Sequence, residues 1–357
     1  MKKAFKVILC VLLAIVVLAV GYLGYVLIDY HRIGNETVDM QPRLTKKAQT
    51  DVEYNILSWN IGFGAYESDY GFFMDGGTES WAWSKERLHS NIEAIGGLLD
   101  QRNADFITLQ EVDTDSTRTY HVDEHSMLEE RVDREKYECF YALNYDSPFL
   151  MYPLTQPHGK SVSGIETFAQ FGMTSGTRVE LPVEDSLMKL VDLDRCYSKS
   201  YIPVENGKNL VLYNTHLSAY TSDGKIATQQ LEMLIKDMQS EYAAGNYAIC
   251  GGDFNKDLLG DSSQYFGVPG DGYNWAQPLP EGIFDGTDLS LVVPLDEKDP
   301  VPSCRNADGP YHEGQYVLTI DGFIVSANVT VSQSNVIDTG FAYSDHNPVY
   351  MTFKLDK

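Results

Sequence analysis

Residues 247–255 read YAICGGDFN, a short apolar run that stops at two glycines, an aspartate and an asparagine. The run Tyr247–Cys250, bounded by turn residues, predicts a buried strand rather than a helix, since helices run to about ten residues or more. Asp253 and Asn255 follow at the strand's end, where side chains emerge at a sheet edge. Five further runs have the same form: Tyr54–Trp59, Asp105–Val112, Leu210–His216, Leu318–Val325 and Val349–Leu355. Between them lie helical patterns. In Lys85–Arg102, Leu88, Ile92, Ile95 and Leu99 recur at steps of three and four behind Ser84 as N-cap, and Thr228–Ala243 repeats the pattern with Leu231, Leu234, Ile235 and Met238. Alternating strands and helices predict a layered α/β domain, and hairpin-like spacing near the C-terminus a mixed sheet.

No internal repeat and no second low-complexity linker interrupts residues 54–357, which read as one domain. The 357 residues are 43% apolar and 12% aromatic, which excludes a disordered chain or a disulfide scaffold. The net charge is −24. Residues 1–53 hold seven Lys/Arg against five Asp/Glu, so a near-neutral leader precedes a strongly acidic body. Affinity for a nucleic-acid backbone comes from basic groups that neutralise phosphates, so a tight non-specific nucleic-acid binder is disfavoured. An acidic body still binds phosphate where a divalent cation inverts the local field.

The leader explains where the body acts. No charge falls between Val7 and Ile28, and these twenty-two residues reach roughly 33 Å as a helix, enough for a hydrocarbon core of about 30 Å. Lys2, Lys3 and Lys6 precede the run and orient the N-terminus to the cytoplasm. Ala19-Val20-Gly21 offers a signal-peptide cleavage site, but the apolar run continues seven residues past it. The expectation is an uncleaved transmembrane anchor over 1–32, a tether over 33–53, and an extracytoplasmic domain over 54–357. Cys139, Cys196, Cys250 and Cys304 lack Cys-x-x-Cys spacing, which argues against a thiolate zinc site. Cys250 reads as a small buried hydrophobe.

Polar residues recur at the strand ends: Asn60 in LSWNIG, Glu111 in LQEVD, His216 in NTHL, Asp253 and Asn255 in GGDFN, and Asp345-His346 in YSDHNPV. Each alone has a bland reading as a turn residue, a solvated carboxylate or a structural histidine. Asp321, in IDGFIVS, is harder to dismiss, because a carboxylate among apolar neighbours is costly to bury without a partner, and His346 is a candidate partner. No Gly-x-Ser-x-Gly, His-Glu-x-x-His or phosphate-cradling glycine loop is present. What remains is a set of hard oxygen donors and histidines that suits Mg²⁺, Mn²⁺ or Ca²⁺. A metal, a base and an acid without a protein nucleophile describe hydrolysis of a phosphoester by water. The stretch 256–316, rich in Gly, Pro and Asp, lies between two of these clusters and is expected to rim the site.

The ordered series LSWNIG, LQEVD, NTHL, GGDFN, IDGFIVS and YSDHNPV resembles the endonuclease/exonuclease/phosphatase superfamily over about residues 54–355. The resemblance implies a four-layered α/β sandwich of two packed mixed sheets flanked by helices, with a metal site at one edge. It implies Glu111 as the principal ligand of Mg²⁺ (or Mn²⁺), with Asn60 and Asp345 close to the same ion. His346 corresponds to a general base or phosphate contact oriented by Asp321, and Asp253 and Asn255 to the pair that positions water and phosphate. Which of Asp253 and His346 takes the proton stays open. His216 matches a histidine that assists the leaving oxygen, with Glu166, in GIETFAQF, as its carboxylate partner.

The chain also departs from the pattern. Many members carry Leu-Ser-Lys or Leu-Ser-Arg at the end of the strand with Glu166, where Ala169-Gln170-Phe171 stands here. Arg118 and Arg305 are alternative basic contacts, each also readable as a solvated surface arginine. The acidic body and the anchor point to lipid head groups or small phosphoesters as substrates, with an extracellular nuclease as the alternative and a non-catalytic binding module as a third reading.

Overall fold

The computed structural model describes residues 2–184, 194–219, 225–270 and 275–357. The apolar leader forms helix α1 (Lys2–Asp29), whose side chains are exposed except near its end, where Val26 is buried. It is long and apolar enough to cross a membrane, properties that a signal sequence shares. Its C-terminal turns touch the body: the Tyr22 hydroxyl donates to the Phe149 carbonyl and accepts from the Met151 N–H, and the Tyr25 hydroxyl accepts from the Phe149 N–H.

The body runs β1 (Glu36–Asp39), β2 (Glu53–Asn60), α2 (Lys85–Arg102), β3 (Phe106–Asp113), α3 (Glu124–Arg131), β4 (Glu138–Asp146) and β5 (Val162–Ala169). It continues through β6 (Ser175–Glu180), β7 (Cys196–Pro203), β8 (Asn209–His216), α4 (Lys225–Ala243), β9 (Tyr247–Asp253) and α5 (Ser262–Phe266). It closes with β10 (Leu289–Val292), β11 (Cys304–Arg305), β12 (Val317–Leu318), β13 (Asp321–Ser326), β14 (Val329–Val336) and β15 (Val349–Leu355). One sheet has the order β1-β6-β7-β8-β9-β13-β10 and the other β14-β15-β2-β3-β5-β4. Short β11 and β12 pair separately.

Layering follows from which face each side chain takes. Ile56, Phe106 and Phe353 from one sheet meet Leu210, Leu212 and Ile249 from the other in the central core. The outward Leu57, Ile107 and Leu109 pack on Leu88, Ile92, Ile95 and Leu99 of α2. The outward Val211, Tyr213 and Cys250 pack on Leu231, Leu234 and Met238 of α4. The result is helices, sheet, sheet, helices: the four-layered α/β sandwich expected. Ser84 caps α2 by accepting from the Arg87 N–H.

Among the described residues only two strand pairs within the sheets are parallel, β2–β3 across α2 and β8–β9 across α4. Both βαβ units direct the C-terminal ends of their strands to one edge, where an open α/β sheet leaves its crevice. The expected strands hold with two adjustments. β9 runs on through Gly251 and Gly252 to Asp253, and the run Leu318–Val325 divides into β12 and β13. The glycines sit in the sheet because the space is taken: a Cβ on Gly252 would lie 2.2 Å from the Thr215 carbonyl oxygen.

Residues 33–53, read from the sequence as a tether, lie against the body. β1 pairs antiparallel with β6, Ala48 is buried and bridges to Val204, and Arg43 donates to the Tyr137 carbonyl. Backbone pairing holds this segment, and backbone pairing leaves no apolar period to read.

Candidate active site

Four of the expected site residues end the parallel strands: Asn60 ends β2, His216 ends β8, Asp253 ends β9, and Glu111 lies near the end of β3. Asp321 begins β13 directly opposite Asp253, which is in turn opposite His216, so three titratable groups stand abreast on adjacent strands. Asp345 and His346 arrive on the segment before β15, and an isolated bridge pairs His346 with Cys304. Asn60, Glu111, His216, Asp253, Asn255, Asp345 and His346 line one pocket.

Local geometry explains how Glu111 reaches it. The β3–β5 pairing is irregular between Leu109 and Val112, and Glu111 has φ 54°, a left-handed backbone that is unusual for glutamate. Such a conformation costs on the order of 1–3 kcal/mol and persists where the surroundings enforce it. Asn60 Nδ2 donates to Glu111 Oε1 at 3.1 Å and to Asp253 Oδ2 at 3.0 Å, tying the two sheets' carboxylates together. Asn255, with φ 48°, donates its backbone N–H to Asp253 Oδ1 and its side chain to the Leu217 carbonyl.

The two histidines differ in environment. His346 Nδ1 lies 2.8 Å from Asp321 Oδ2, which also accepts from the Ser303 hydroxyl. Burial alone would lower its pKa, but Asp321, then Cys304 and Asp345, overcome burial and hold it well above the ordinary imidazole value. His346 Nε2 faces Asp253 Oδ2 at 3.8 Å. His216 Nε2 lies 3.6 Å from Asp253 and 3.9 Å from Glu111, and its Nδ1 has no hydrogen-bond partner among the described residues. Burial first, and the charge of Arg195 second, push His216 well below its usual pKa. Burial lifts Asp253 to about 7 and Asp345 to about 6.

Among the described residues no lysine or arginine forms an ion pair with Glu111, Asp253 or Asp345. Crowded carboxylates with no lysine or arginine partner, joined by an amide and facing the His346 imidazole, make a hard-oxygen donor set. That set fits a divalent ion such as Mg²⁺ or Mn²⁺.

Three expectations need correction. Glu166 is not in this pocket. It shares the outward face of β5 with Phe168, and its Oε1 lies 2.6 Å from His125 Nδ1 and 3.1 Å from Cys139 Sγ. Arg118 is buried, not a surface group. It forms a two-pronged bridge to Asp113 at 2.9 Å, donates to the Tyr145 hydroxyl, and lies over the Phe63 ring. Arg305 is also buried and donates to the Gly309, Glu67 and Tyr70 carbonyls, fastening the loops around the pocket.

Sequence reasoning missed Arg195, Tyr66 and Trp275, which also line the pocket. Arg195 sits in DLDRCYS, whose polar run signals only a loop. The stretch 256–316 does rim the site, through Trp275, Cys304, Arg305 and Asn306. The cysteines are all free, and Cys250 is buried as expected.

This fold and edge pocket define an α/β sandwich of the phosphoester-hydrolase type. The sequence matches the Endonuclease/Exonuclease/phosphatase family over residues 57–346, and the chain belongs to that family. Family members hydrolyse phosphoester bonds, generally with a divalent metal. No curated protein matches the chain in sequence. Among solved structures, the chain is similar to an endonuclease/exonuclease/phosphatase from Beutenbergia cavernae, with TM-score 0.60 and 17% identity over 85% of this chain and 72% of that one. It is also similar to ANGEL2, a 2′,3′-cyclic phosphatase (TM-score 0.57, 16% identity, 92% and 100% covered). The human Nocturnin catalytic domain has a TM-score of 0.53 at 17% identity, with 90% and 97% covered. At these identities the likeness is one of fold.

Proposed function

We propose that the chain is a membrane-tethered, Mg²⁺- or Mn²⁺-dependent phosphoester hydrolase acting outside the cytoplasm on lipid head groups or small phosphoesters. The observation that carries this reading is the convergence of Asn60, Glu111, His216, Asp253, Asp345 and His346 from both sheets into one pocket.

In this reading Glu111 is the principal metal ligand, with Asn60 and Asp345 beside it. The bound ion supplies a lowered water pKa and charge neutralisation at the phosphoryl oxygens. Asp253, steadied by Asn60 and by the Asn255 N–H, accepts the proton of the attacking water. His346, held by Asp321, presents a cationic N–H to the phosphoryl oxygens. His216, kept neutral by burial, donates a hydrogen bond to the leaving oxygen. The apolar helix α1 supports the anchor, and the acidic body favours a small or lipid phosphoester over a polynucleotide.

A substrate panel on the full chain tests this. It comprises a chromogenic phosphodiester, a phosphocholine lipid, phosphoinositides, a 2′,3′-cyclic nucleotide, and single- and double-stranded DNA, each with Mg²⁺. Turnover of lipid or small esters is expected. Rapid DNA nicking with inert lipids overturns the substrate assignment, and inertness toward every phosphoester overturns the reading.

A further inference from the structure

Beside the catalytic pocket lies a second cavity of about 340 Å³, and the two share Tyr66, Glu111 and Arg195 in their walls. Most of the remaining lining is apolar or aromatic, including Phe72, Phe73, Met74, Leu150 and Met151, and Tyr22 of helix α1 closes one side. No step proposed above uses this space. An apolar cavity opening onto a polar site favours an apolar occupant, in proportion to the occupant's surface removed from water.

Its outer lip is unusual for a soluble surface. Phe149, Met151, Tyr152 and Leu154 are 36%, 45%, 69% and 81% exposed within six residues. Exposed apolar side chains concentrated in one loop mark an interaction surface. The loop is fastened to α1, the one span long and apolar enough for a membrane among the described residues, by the Tyr22 and Tyr25 hydroxyls. The wall shared with the catalytic pocket carries a buried guanidinium, Arg195, whose Nε has no hydrogen-bond partner among the described residues. A buried donor left unsatisfied is costly unless an anion meets it. The other arginine of the cavity, Arg118, is already neutralised by Asp113, so the cavity has no basic track for a polyanion.

We propose that this cavity seats the apolar portion of an amphiphilic phosphoester, a membrane lipid. Its phosphate then lies in the adjoining pocket against Arg195, and its chain enters past the loop at 149–154. The inference rests on the phosphoester reading above and deepens it by assigning a seat to each half of the substrate. The occupant follows from continuity: a ligand bound at Glu111 meets the apolar wall next, on the side where α1 lies.

The test uses the full chain in amphipol, to avoid detergent competing for the cavity, with Mg²⁺ supplied. A homologous series of phosphodiesters with one head group and alkyl chains of increasing length is assayed below micelle-forming concentrations. KM is expected to fall roughly two- to fourfold per added methylene, the range set by partial to full burial of each group. The fall should then level off as the cavity fills, with kcat little changed. Phe73→Ser and Leu150→Trp, one removing apolar surface and the other occupying the space, should each lower the ratio of long-chain to short-chain kcat/KM at least tenfold. Arg195→Met should raise KM similarly at every chain length. A KM independent of chain length, with turnover retained, overturns the inference and leaves the phosphoester reading standing. So does an unchanged ratio in both cavity variants. Absence of turnover on every member of the series overturns the phosphoester reading and this inference with it.

Discussion

Asp321 Oδ2 and His346 Nδ1 lie 2.8 Å apart, both buried, and the same carboxylate oxygen accepts from the Ser303 hydroxyl. The carboxylate begins a strand and the histidine precedes another, so the contact spans the two sheets of the sandwich. It fixes the imidazole's orientation and favours its charged form. It also leaves Nε2 directed at Asp253.

Loss of either member should therefore stop chemistry without unfolding the chain. His346→Ala is expected to lower phosphodiester turnover by on the order of 10²–10³-fold, the usual loss when one donor aimed at developing charge is removed. Asp321→Asn, which keeps the shape and removes the charge, should lower kcat more than it raises KM. Steady-state kinetics beside a thermal melt check both. Wild-type turnover in His346→Ala refutes the assignment.

Chelation should abolish activity, and Mg²⁺ or Mn²⁺ should restore it. Glu111→Gln keeps the hydrogen-bonding shape opposite Asn60 but halves neither volume nor reach, so its effect isolates the charge. It is expected to raise the metal concentration for half-maximal activity by at least tenfold, in the range found for losing a metal-site group. Isothermal titration with Mn²⁺ gives a second readout, and unchanged metal affinity would count against Glu111 as a ligand.

Much of this site was legible because an apolar run that ends in a polar side chain marks a strand end, and strand ends meet at a sheet edge. Asn60, Glu111, His216 and Asp253 were found that way, and the Asp345–His346 pair by its place just before the last strand. Glu166 shows where the signal stops. It came from the resemblance alone, as the partner of His216, and no apolar run singled out its strand. Both faces of β5 are covered, Ile165 and Ala169 by the opposite sheet and Phe168 by the helical layer, so alternation there does not tell inside from outside. Arg118 and Arg305 looked like surface groups because their partners leave no local pattern. Asp113 precedes Arg118 by five residues across a turn, and of the carbonyls that hold Arg305 those of Glu67 and Tyr70 lie far away in sequence.

The Arg118–Asp113 pair carries stability rather than chemistry. Both side chains are buried, and two hydrogen bonds of 2.9 Å join them. Arg118→Met leaves the Asp113 carboxylate uncompensated, and breaking a buried pair in this way costs about 3–5 kcal/mol. Denaturant titration should show that loss. Asp113→Asn with Arg118→Met together should recover part of it, because the orphaned charge is gone.

His158 predicts how the fold responds to acid. It is buried against Phe72 and Phe73, and its Nδ1 lies 3.1 Å from the Ser80 carbonyl. Burial, helped by the positive charge of Arg118, pushes its pKa down to about 3, against the smaller opposing effects of the Ser80 carbonyl and of Asp113. An unfolded imidazole titrates near ~6.5, so between that pH and about 3 the unfolded chain binds a proton that the folded chain refuses. This group's contribution is therefore intact above about pH 6.5 and is lost as pH falls, by up to about 1.4 kcal/mol per pH unit. His158→Gln keeps a neutral polar side chain and removes the proton site. The difference in unfolding free energy between wild type and His158→Gln, measured from pH 7.5 to 4.5, should shift steadily in the variant's favour as the solution is acidified. A difference that stays flat across that range would mean His158 accepts its proton in the folded state.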